Sequence, residues 1–183
     1  MQKIKLLLLS LVMVFLTACG TETSSNLNRF DMWEYMTATI DYEVTYAIYE
    51  NGVRVDSYIE SHRLLYRDSY ERESHSDITS LYLNGSNILM KEPSQDVTIE
   101  RYVNLGDRDI FHASSIQICS LERHFNTYER KGLKFYNVIM VNCTSKSGVQ
   151  QEFYYGYNEG IVAIYENDRG REKEWVKVGE VHI

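Results

Sequence analysis

The chain has 183 residues, 44% of them hydrophobic, and a formal charge of −7. That is the size of one ordinary domain with a real core. A net acidic surface repels nucleic acid and bare anionic lipid headgroups, so neither is expected as a direct partner.

The first 18 residues have the three zones of a secretory signal: a basic start at Lys3 and Lys5, an apolar run from Leu6 to Leu16, and small residues ahead of Cys19. A membrane-spanning helix needs about 20 apolar residues. This run is shorter and leads straight into the polar stretch Gly20-Thr21-Glu22-Thr23-Ser24-Ser25. The alternative to a lipid site is an ordinary secretory signal with a chance cysteine.

Leu16-Thr17-Ala18-Cys19 resembles the lipobox of bacterial lipoproteins. The resemblance implies diacylglyceryl transfer to the Cys19 sulfur, cleavage between Ala18 and Cys19, and acylation of the new amino terminus. Several acyl chains, at about 0.8 kcal/mol per buried methylene, hold a protein on a membrane far more firmly than one. It also implies a bacterial cell-envelope location and, because Gly20 and not Asp follows Cys19, the outer membrane facing the periplasm in a Gram-negative cell. Removal of Lys3 and Lys5 makes the mature chain more acidic still. Membrane contact is therefore expected through the lipid anchor and not through a basic patch.

Residues 19–29 read as the lipidated cysteine and a flexible tether, and residues 30–183 as a single β-rich domain. Phe30, Trp33 and Met36 recur at helical spacing, which predicts a short helix or turn that buries them at one end of the core. A hydrophobic patch for a partner is the weaker alternative.

From Asp41 the period becomes two. Tyr42 to Glu50 and Val53 to Ile59 flank Asn51-Gly52, the signature of a type I′ hairpin. If Glu50 pairs with Val53, then Tyr49 lies beside Arg54 and Thr45 beside Tyr58. The same register sets Ile48 opposite Val55 and Val44 opposite Ile59 on a common apolar face. His62 to Tyr70 either continues the second strand or starts a third, and further strands are expected over Thr79 to Leu83, Ile88 to Met90 and Val97 to Asn104, the last with Val97, Ile99, Arg101 and Val103 on one face. Pro93, the sole proline, marks a break between strands.

Cys119 and Cys143 remain once Cys19 carries lipid. In an oxidising compartment such a pair forms either a disulfide or two buried thiols. Ser120, Glu122, the Leu121, Phe125 and Tyr128 stripe, and Lys131-Gly132 together predict one helix that covers the sheet. Strands resume at Leu133 to Thr144, Val149 to Tyr157, Gly160 to Glu166 and Lys173 to Val178. The fold class expected is mainly β: a single antiparallel sheet, curved into a half barrel or arranged as a sandwich, with one short helix packed on it.

Candidate chemistry is sparse. His62, His75, His112, His124 and His182 show no metal-ligand spacing, and neither Cys-x-x-Cys nor a nucleophile elbow occurs. No metal, cofactor or catalytic set is expected. Gly106-Asp107-Arg108-Asp109 reads as a solvated turn, and the pairs Glu71/Glu73 and Glu172/Glu174 as exposed strand faces. Fifteen tyrosines are the remaining signal. Strand propensity explains most of them. In Phe153-Tyr154-Tyr155-Gly156-Tyr157, residues Tyr154, Tyr155 and Tyr157 are candidates for a face that stacks on a sugar, peptide or lipid. This run, followed by Gly160-Ile161-Val162, is similar to the last hairpins of small exported half-barrel lipoproteins such as the lipoprotein localisation factors LolA and LolB.

The function expected is a membrane-anchored envelope lipoprotein that acts as a non-enzymatic binding or structural module, its partner an envelope protein, glycan or lipid. A carrier with an apolar cavity and an envelope hydrolase are the alternatives.

Overall fold

The computed structural model describes residues 29–74 and 77–183. The expected signal, Cys19, the tether up to residue 28, and His75 lie outside the described residues. Strand β1 (Arg29–Asp31) runs directly into helix α1 (Met32–Met36). Asp31 is the N-cap, its Oδ1 accepting from Trp33 N at 3.1 Å. Phe30, Trp33 and Met36 are all buried, as their spacing predicts.

The strands that follow are β2 (Tyr42–Glu50), β3 (Val53–Tyr66), β4 (Ser69–Ser74), β5 (Asp77–Asn84), β6 (Asn87–Lys91), β7 (Asp96–Glu100), β8 (Tyr102–Asn104) and β9 (Phe111–His112). The series ends with β10 (Ile116–Arg130), β11 (Leu133–Ser145), β12 (Gln150–Gly156), β13 (Gly160–Asp168) and β14 (Arg171–His182). Twelve of them form one sheet in the order β10-β11-β12-β13-β14-β2-β3-β4-β5-β6-β7-β9, while β1 pairs with β8. Neighbours along the sheet are antiparallel hairpin partners, except that the last strand joins β2 and that β7 reaches β9 past β8.

The sheet edges, β9 and β10, approach each other. Ile110 N donates to Cys119 O at 3.1 Å and Leu121 N to Asp107 O at 3.0 Å, so the sheet is nearly closed into a barrel. Side chains alone fill a barrel of about eight strands. Much of this wider one is occupied by α1 and by the long side chains of Tyr35, Tyr42, Tyr46, Tyr70 and Tyr155, all buried in the main core. Four of their hydroxyls have partners: Tyr35 bonds Asn137, Tyr70 bonds His62, Tyr42 donates to Glu159 O and Tyr46 to Ile161 O, the last two at 2.8 Å.

Two expectations are corrected. The first is the hairpin register. Asn51 and Gly52 have φ of 47° and 82°, as a type I′ turn requires, and Glu50 and Tyr49 pair with Val53 and Arg54. A bulge then places Val55 between pairs, and from Ile48 opposite Asp56 onward every partner moves by one residue. Val44 meets Glu60 and Thr45 meets Ile59. A one-residue slip exchanges the faces. Val55 and Ile59 are therefore 53% and 57% exposed, while Glu60 and His62 turn inward, and Val53, paired ahead of the bulge beside the turn, is 66% exposed.

The second correction is the helix expected from Ser120. That segment is strand throughout, and Lys131-Gly132, with φ of 51° and 77°, is a hairpin turn and not a helix stop. The misleading four-residue spacing has a structural cause. A bulge falls between Leu121 and Arg123, and the strand changes which core it serves. Leu121 packs inside the barrel, whereas Tyr128 packs outside it.

The β10–β11 hairpin is longer than its neighbour. Val138 pairs with Gly156, the last residue of β12, so the hairpin tip runs on as an arm. The arm folds over the outer face of the sheet. There Tyr128 stacks on Tyr154 with centroids 4.4 Å apart, above Val162, Ala163 and Val176. Arg130 and Lys131 both pair with the buried carboxylate of Glu174 on β14.

Candidate functional site

The slipped register of β3 builds an unusual interior. On its inward face, His62 lies opposite Arg72 of β4, next to Tyr70. His62 is fully buried, its ring stacked on Tyr42 at 4.4 Å. Its Nδ1 is 2.5 Å from the Tyr70 hydroxyl and its Nε2 is 2.7 Å from Glu60 Oε1. Burial pushes the His62 pKa down despite the adjacent carboxylate. Burial alone would raise Glu60, but the contact with His62 and the charge of Arg72 outweigh it and hold Glu60 below its usual range.

A neutral imidazole protonated on Nε2 serves both neighbours, accepting from Tyr70 and facing the Glu60 anion. Carboxylate, imidazole and hydroxyl in a row is the order of a nucleophilic relay. Tyr70 is 0% exposed, however, so no substrate reaches its oxygen. The row acts as a polar tie between β3 and β4.

Next to this tie the barrel interior is not filled. A cavity of about 150 Å³ crosses the bore beside the near-closure of β9 and β10. Its walls are Met90, Val97, Phe111, Phe153, Tyr155 and Ile161. Arg72 enters it from β4, and Glu92, Gln95 and Gln151 are the polar groups of its lining together with serines. The volume matches the space that takes up one benzene ring in an engineered protein core, and it is far short of a membrane lipid's acyl chains.

Arg72 is the unusual group here. Its Nε is sealed from solvent and has no hydrogen-bond partner, and its terminal NH2 approaches Met90 Sδ at 3.9 Å. No carboxylate among the described residues forms a salt bridge with it. Burial would lower its pKa, yet Glu60 nearby and the surrounding tyrosines raise it, so the guanidinium is firmly charged. A buried charged donor left unpaired costs at least about 1–3 kcal/mol.

The residues singled out from sequence are placed apart. Tyr155 lines the cavity, Tyr154 packs under the arm and donates to Glu152 Oε2 at 2.6 Å, and Tyr157 is 39% exposed at the edge of Tyr35. They do not share one ligand face: Tyr154 and Tyr155 are neighbours on β12 and point to opposite sides, and Tyr157 lies in the turn beyond the strand. Cys119 and Cys143 lie opposite each other on β10 and β11 and are joined by a disulfide, with Cys143 in the cavity wall.

Asp107 Oδ2 accepts from Asn104 N at 2.7 Å within its turn. Glu73 faces Arg63, and Glu174 is committed to the arm. His124 bonds Asn137, His112 lies 3.7 Å from Asp109, and His182 lies 3.4 Å from Glu180. Among the described residues, no three His, Cys, Asp or Glu side chains come together as a metal cage.

Sequence reasoning missed Arg72, Glu60 and Tyr70. A signal was present. Tyr70 and Arg72 alternate with Glu71 and Glu73, so if one pair faces solvent the other must face the core. No known protein family matches the chain, and a search of curated proteins finds no match to it.

Proposed function

We propose that the protein is a lipid-anchored lipoprotein of the bacterial envelope whose barrel is a non-enzymatic binding module, with the interior cavity as its binding site. The observation that carries this reading is the unfilled space at Arg72. Evolution usually fills a core to crystal-like density, and an opening that joins aromatic and aliphatic walls to a few polar and charged groups is the form of a small-molecule site.

The lipobox at Leu16-Thr17-Ala18-Cys19 supports the anchor. Strand β1 begins at Arg29, ten residues beyond Cys19. Fully extended, that length lets the barrel stand off the bilayer by at most roughly 35 Å. Confinement to a surface raises the effective concentration of the module toward anything held there, so that modest affinity suffices. The cavity volume favours a small ligand over a lipid cargo.

Expression of the full chain in a bacterium, followed by intact mass measurement of the membrane fraction, tests the anchor. The expected product starts at Cys19 and carries diacylglycerol and an amide-linked acyl chain, and Cys19→Ser abolishes both. An unmodified chain free in solution, or one with another first residue, overturns the anchor.

A further inference from the structure

From the composition of the cavity we infer that its ligand is a small monocarboxylate: one negative charge held by Arg72 and a compact ring or branched apolar body lodged against Phe111, Phe153, Tyr155 and Ile161. This deepens the reading of the cavity as the binding site and rests on it.

Three features carry the inference. Arg72 is charged, lines the cavity beside its aromatic walls, and forms no salt bridge with a carboxylate among the described residues. A carboxylate is the group whose paired oxygens match the forked donors of a guanidinium. The walls supply three aromatic rings and a branched aliphatic chain within about 150 Å³, which is room for one ring and not for a long chain.

The charges that surround Arg72 limit the ligand further. Glu60 faces it from β3 next to His62, and Glu92 lines the cavity with Gln95. A second negative charge on the ligand would meet these carboxylates, whereas the amides of Gln95 and Gln151 accept a neutral polar substituent. The rival account is that Arg72 serves only to offset Glu60. On that account the space beside it has no preference for an anion.

Titration with benzoate and with benzyl alcohol separates the two accounts, read through the methyl resonances of Met90, Val97 and Ile161. The two probes share a ring and differ in charge. Benzoate is expected to shift these methyls and to bind at least about tenfold more tightly than benzyl alcohol, the order of a charge-assisted hydrogen bond. Arg72→Met is expected to bring the two affinities together, and Arg72→Lys to restore part of the difference.

Equal affinities for the unaltered protein overturn the monocarboxylate inference while leaving the cavity as a binding site. If neither probe moves these methyls, or if benzoate moves only surface resonances, the cavity reading falls as well. Should Arg72→Met lose its fold, the benzoate to benzyl alcohol ratio in the unaltered protein still decides.

Discussion

Beneath the β10–β11 arm, Tyr128 and Tyr154 stack at 4.4 Å and one buried carboxylate, Glu174, takes both Arg130 and Lys131. Inside the barrel, Arg72 keeps a sealed donor without a partner beside an open space of about 150 Å³. Both regions bury aromatics against the same sheet, on opposite faces. The outer one is closed by ring stacking and ion pairing, with the Tyr128 hydroxyl also buried without a partner but no cavity beside it among the described residues. The inner one stops short of closure where its most polar residues gather, and that difference separates packing for stability from packing that leaves room for a ligand.

Mutations in the two regions should therefore behave differently, and the largest effect is expected outside. Tyr154→Ala removes a ring held between Tyr128, Phe125 and the sheet and is expected to cost about 3–5 kcal/mol. Denaturant unfolding measures it. A loss under about 1 kcal/mol would mean that the arm is not a structural lid.

A smaller effect with a pH signature is expected at His62. Its pKa is lowered in the folded protein, so below the ordinary value of 6.5 the unfolded chain gains a proton that the folded one refuses. Stability falls with acid through that window. Glu60, also lowered, adds a second loss below its ordinary 4.5. His62→Gln keeps a polar side chain in the tie and should remove the first slope, which begins below pH 6.5, while the lower slope persists. Unfolding curves at several pH values check this. An unchanged slope would place the acid sensitivity elsewhere.

Much of this architecture is legible in the sequence. Asn51-Gly52 announces its type I′ turn, and the buried spacing of Phe30, Trp33 and Met36 gives α1 before any coordinates. What hides the rest is a pair of bulges. At Val55, one extra residue converts an apolar face into an exposed one and turns Glu60 and His62 inward, which no period-two reading of the strand anticipates. Between Leu121 and Arg123, another makes a strand imitate helical spacing. The cavity was less legible still. It is assembled from eight strands, and only Tyr155 and the Tyr70/Arg72 alternation within β4 pointed toward it.

The smallest stability change is expected where the binding change is largest. Arg72→Met relieves the cost of the unpaired donor but takes a stabilising positive charge away from buried Glu60, and because the two effects oppose, stability should shift by less than about 1 kcal/mol. A loss of several kcal/mol would show that Arg72 is a structural counter-charge, and the contrast between the two regions would shrink accordingly.

Diffraction from crystals held under xenon tests the contrast most directly, because xenon enters apolar spaces that a protein leaves unfilled. The account predicts a xenon site within the barrel among Phe111, Phe153, Tyr155 and Ile161, and none between the arm and the sheet. Xenon under the arm, or a barrel interior that admits none, would contradict it.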